Sequence, residues 1–98
     1  MSKDKLFYQL QDYMLLRTSL EKVKIKLEGT RSPPWGLIEE ELQGLFAKGK
    51  NDPHLTSVVE PLRQAVDERD KDEALKAVNE AITSIDKKIR EIYSMLRA

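Results

Sequence analysis

Apolar residues recur at spacings of three and four in four separate stretches of this chain, as they do in helices that each bury one face. In the first stretch, Leu6, Leu10, Tyr13, Leu16, Leu20, Val23 and Leu27 fall on one stripe, with Phe7 and Met14 expected to widen it. The stripe predicts a helix from Lys3 to Glu28. Gly29 follows as a natural C′ residue, where a left-handed backbone carries no Cβ clash. In the last stretch, Leu75, Val78, Ile82, Ile85, Ile89, Ile92 and Leu96 alternate three and four apart without a break. They predict a helix from Lys71 to about Leu96. Ala74, Ala81 and Met95 flank this run and make it wider than a two-position seam, as a bundle helix requires. Isoleucine at both apolar positions also disfavours a simple two-stranded coil. The run is therefore read as intramolecular core first, with a seam shared between chains as the alternative.

Punctuation places two shorter segments between these. Ser32 can cap a helix that has Pro33 at its first position. Trp35, Ile38, Leu42 and Leu45 then share a face, with Phe46 beside them. Gly36 and Gly44 weaken this helix by roughly 1 kcal/mol each relative to alanine, so it should be short and end near Gly49. Asp52-Pro53 repeats the start signal, and Leu55, Val58, Val59, Leu62 and Val66 form the next apolar face. Pro61 falls in the middle of this segment and should kink it or divide it. Asp70 and Glu73 have the spacing of a capping box ahead of the last helix. Lys22 to Leu27 is the one candidate for strand alternation, and it reads as the end of the first helix. The expectation is a single all-α domain over residues 1–98. It is a small bundle of two long antiparallel helices plus a short one and a kinked one.

Composition narrows the chemistry. Residues 1–49 hold eight basic and seven acidic side chains, and residues 50–98 hold nine and ten. Neither half is a polycation, so attraction to nucleic acid or anionic membrane is not built in. No apolar run approaches the ~20 residues that span a bilayer. With no cysteine and no apolar leader, the chain reads as cytoplasmic, and it offers no disulfide, thiolate metal site or Cys nucleophile. His54, the sole histidine, sits near Asp52, but no nucleophile is spaced to use the pair; it reads as an exposed first-turn residue. Asp67, Asp70 and Asp72 invite a calcium loop. Counted from Asp67, however, position six is Asp72 rather than glycine and position twelve is Val78 rather than glutamate. The acidic cluster reads as caps and solvated charge.

Catalytic residues, cofactors and metals are thus not expected, and the chain reads as non-enzymatic. Its positive feature is an apolar surplus at the edges of the main stripes. Phe7, Met14, Ile25, Trp35, Phe46, Tyr93 and Met95 lie there, and some should remain exposed for contact with another protein. Trp35 follows two prolines and is read as a lid on the core rather than a docking anchor. The expected function is a protein–protein interaction module, such as a small adaptor, chaperone, immunity protein or regulatory subunit. Two alternatives are a nucleic-acid accessory protein using the basic stretch Arg17, Lys22, Lys24, Lys26 and Arg31, or a subunit completing an enzyme on another chain. A homodimer is expected as well, because two short helices cover two long ones poorly.

Overall fold

In the computed structural model, which describes residues 3–49 and 52–98, four helices follow in order: α1 (Lys3–Glu28), α2 (Trp35–Gly49), α3 (Pro53–Asp67) and α4 (Lys71–Arg97). There is no strand among the described residues, and Lys22 to Leu27 ends α1 as a helix. None of the helices is long and apolar enough to cross a membrane. The seven α1 stripe residues are the ones buried in α1. In α4, Val78, Ile82, Ile85 and Ile92 are buried, while Leu75, Ile89 and Leu96 pack half-buried against the same core. The heptad run is therefore spent within the chain. Ala74, Ala77 and Ala81 are buried on one side of that run, where α3 covers it.

Several local expectations need correction. Gly29 is not left-handed; no glycine among the described residues has positive φ. Its amide simply continues the α1 pattern, donating to the Ile25 carbonyl at 3.1 Å. Ser32 does not cap α2. The first bond of that helix runs from the Ile38 amide to the Pro34 carbonyl, so Pro34 holds the cap position and Pro33 is buried ahead of it. Phe7, Met14 and Met95 do not widen the buried stripes but lie exposed. Pro61 does not divide α3, which runs through it. Pro61 and Ser57, whose carbonyl loses its usual donor, both face solvent, so water can satisfy the vacant acceptor.

Asp52 and Asp70 cap α3 and α4 as expected, but the capping box does not close, because the Asp70 amide donates to the Ala65 carbonyl instead of to Glu73. The Asp52 carboxylate accepts the His54 and Leu55 amides, and the Asp70 carboxylate accepts the Glu73 amide at 3.1 Å. Between these helices, Arg69 adopts φ 57° in the left-handed region. The Asp70 amide donates to the Ala65 carbonyl and the Arg69 amide to the Val66 carbonyl, both at 3.0 Å. This is a Schellman closure with arginine where glycine is usual. Gly49, at the other turn, is needed for space: a Cβ there would run into the side chain of Leu55.

Three contacts fix the axial level of each helix. Lys71 Nζ donates to the Thr30 carbonyl at 2.7 Å, so α4 starts where α1 ends. Arg17 Nε donates to Asp86 at 2.5 Å across the middle of the α1–α4 seam. Tyr13, itself buried, donates from its hydroxyl to Asp52 Oδ2 at 2.7 Å, which sets the α2–α3 turn at the level of Tyr13. The 15 residues of α2 and of α3 span ~22 Å, whereas the 26 of α1 span ~39 Å. The α2–α3 hairpin therefore covers only part of the antiparallel α1–α4 frame. Residues 3–10 of α1 and the last turn and a half of α4 run on past it as a two-helix arm, in a molecule 46 × 20 × 17 Å in extent.

Candidate protein-interaction site

The arm carries an open apolar groove. Phe7, Leu10, Gln11 and Met14 of α1 face Tyr93, Leu96 and Arg97 of α4 across a volume of about 360 Å³. On α1, Phe7, Gln11 and Met14 follow at four and three residues; on α4, Asp86, Arg90, Tyr93 and Arg97 do the same. Each set is one stripe of its helix. Because Asp86 is the residue that Arg17 meets across the seam, the groove continues that seam toward the open end. The opposite side of α4, bearing Lys88 and Glu91, adjoins His54 of α3. The groove thus lies on the side of the frame turned away from the hairpin.

Its walls are apolar yet solvated. Phe7 is 63% exposed, Met14 47% and Tyr93 41%, while Leu10 is buried at the floor. Three of the seven edge residues, Phe7, Met14 and Tyr93, come together here, while Ile25 lies exposed near the other end of α1. Met95 is equally exposed but does not line the groove, since two residues on from Tyr93 it is turned toward the α3 side. Trp35 and Phe46 stand elsewhere, on α2. Both are half-buried against the core and each lies beneath a guanidinium: Arg69 is 5.7 Å from the Trp35 ring centre and Arg63 5.8 Å from that of Phe46. Arg69 also pairs with Glu39, tying the α3–α4 corner to α2. Trp35 is thus held as part of the cover.

Sequence reading missed Gln11, Arg90 and Arg97 because their polarity hid them, although their spacing from Phe7 and Tyr93 places them on the same stripes. It also missed exposed Tyr8, Leu15 and Leu37, which lie off every stripe. A second cleft of about 310 Å³ between α2 and α3 is lined by Glu39, Gln43, Phe46, Arg63 and Asp67 among others. Its cation is already engaged, with Arg63 paired to Glu60 and Asp67.

In the basic stretch, Arg17 is held by Asp86 and Glu21, and Lys24 by Glu28 at 3.8 Å. His54 is exposed, as its first-turn position predicts. The Tyr13–Asp52 bond is the most perturbed titrating pair. Burial, reinforced by the bond to Asp52, pushes the Tyr13 hydroxyl well above its ordinary value. Burial would raise the Asp52 carboxyl, but bonds from Tyr13 and from the Leu55 and His54 amides outweigh it and hold the group below its ordinary range.

The chain matches no protein-family model, no curated protein and no solved structure.

Proposed function

We propose that this protein carries out no reaction of its own and acts by binding another protein through the groove at the open end of the α1–α4 frame. The observation that carries the reading is the meeting of Phe7, Met14 and Tyr93 on one solvated, concave surface. Aromatic and methionine side chains in a recess are the groups that give interfaces their contact energy. A groove between two helices accepts a third helix in the way that amphipathic segments are commonly recognised. The α2–α3 hairpin supports the same reading, because it completes the core on one side and leaves this side bare. A cysteine-free chain suits work in the reducing cytoplasm.

The test is site-specific photocrosslinking in the host cell. A benzoylphenylalanine replaces Phe7 or Tyr93 in the full chain, and Lys76 or Glu80 serves as control, all four being exposed. Discrete adducts from positions 7 and 93, missing from 76 and 80, are the expected result. Adducts at twice the chain mass would make the partner a second copy. No adduct, or the same adducts from all four positions, would remove the groove from the function.

A further inference from the structure

We infer that the groove selects an acidic amphipathic helix, one with carboxylates seven residues apart beside its apolar stripe. The inference rests on the interaction reading above and adds the chemistry of the partner. Arg97 lines the α4 wall of the groove, and Arg90 lies just outside that lining, one turn before Tyr93 on the same stripe of α4. Both are exposed, and neither has an ion pair or hydrogen bond among the described residues. The carboxylate next along this stripe, Asp86, is held by Arg17, as is Glu21. Glu91 lies on the other side of α4, beside His54. On the α1 wall, Lys3 and Asp4 at the tip offset one another. The groove is thus apolar along its floor and cationic along one edge.

Arg90 and Arg97 are two turns apart, ~10.5 Å along the axis. A helix laid along the seam with carboxylates at i and i+7 meets both guanidinium groups. Its residues at i+3 and i+4 then enter between Phe7 and Tyr93. Arginine suits this task, since its planar fork binds a carboxylate through two parallel bonds. The same charges oppose a second copy of this chain. A twofold axis at Tyr93 would set Arg90 of each copy against Arg97 of the other, and like charges facing across an interface repel. The groove is a trough between helices rather than a flat face, which fits a cylinder better than a lipid surface.

The test uses the full chain and three synthetic helical peptides of roughly 18 residues, long enough to overrun the groove. The first carries Glu at i and i+7 and Leu at i+3 and i+4, repeated through successive heptads. The second replaces every Glu with Lys, and the third has the composition of the first with its Leu positions scattered. Fluorescence anisotropy should give saturable binding of the first peptide and much weaker binding of the other two. Arg90→Glu with Arg97→Glu should weaken the acidic peptide by roughly tenfold or more and favour the lysine peptide instead. Phe7→Ser should weaken both, with an unchanged melting temperature because Phe7 is exposed.

Equal binding of the acidic peptide by wild type and the double arginine variant would overturn the proposal, as would no binding at all. So would groove-dependent cosedimentation with phosphatidylglycerol vesicles in place of peptide binding. Crosslinks from positions 7 and 93 that persist alongside failed peptide binding would keep the interaction reading while discarding the acidic helix. Missing crosslinks would discard both.

Discussion

At the scale of single residues, the half-buried polar link between Tyr13 and Asp52 has the most consequence. One hydroxyl from α1 and two amides of α3 converge on one carboxylate. Tyr13→Phe removes a hydrogen bond while keeping the ring in the core, and should cost about 1 kcal/mol at neutral pH. The pH profile of this loss has a definite sign. The folded-state Asp52 value is depressed, so its contribution is present above the ordinary value of 3.8 and fades as pH falls through the lowered one. The folded-state Tyr13 value is raised, so its contribution is intact below 10.0 and is lost as pH rises beyond it. Urea unfolding across the pH range should therefore show a smaller alkaline loss in Tyr13→Phe than in wild type. Identical slopes above pH 10.0 would mean that the hydroxyl is not protected. The apolar half of this residue was legible in the stripe spacing. Its bond to Asp52 was not, because the two lie 39 positions apart and depend on where α2 turns.

At the scale of elements, helix ends separate what sequence can specify from what it cannot. Asp52-Pro53 and Asp70 cap the helices they precede, since an Asx side chain reaches amides two or three residues on whatever the tertiary setting. Ser32 offers the same chemistry but yields to packing: burial of Pro33 shifts the start of α2 to Trp35. The α3–α4 corner is the least expected joint. Asp70 closes α3 with its amide and opens α4 with its carboxylate and carbonyl, leaving no spare residue between them. Arg69 bears the left-handed strain there but repays it through Glu39 and Trp35. Arg69→Ala retains the strain and loses both contacts, whereas Arg69→Gly loses the contacts and relieves the strain. Thermal melts should place the glycine variant about 1 kcal/mol above the alanine variant. The reverse order would mean that the corner is not strained.

At the scale of the whole molecule, periodicity predicted four helices and a core whose members agree closely with those buried, because helical spacing is a local property. The site was legible only in part. Exposure of Phe7, Met14 and Tyr93 follows from their place at a stripe edge, but their union depends on α1 and α4 running past the hairpin. That offset is set by the Tyr13 level of the α2–α3 turn, which no local spacing encodes. Trp35 and Phe46 sit at similar edges, yet α2 turns them onto the cover. The offset also divides stability unevenly. Backbone amides of residues 6–10 and 93–97 lie beyond the hairpin and are backed by one helix partner, whereas those around Leu20 and Ile85 lie within the covered half. Hydrogen exchange should be faster in the arm than in the body by well over tenfold. Uniform protection along α1 would contradict the division.

Because α1 enters and α4 leaves through the arm, Lys3 and Ala98 stand at the same pole as the groove. Any polypeptide joined to either end of the chain therefore departs beside the recess and can shade it. An affinity handle or fluorescent fusion at the N- or C-terminus would compete with whatever docks there. A label carried on exposed Glu68, at the α3–α4 corner, sits at the opposite pole and leaves the groove unobstructed.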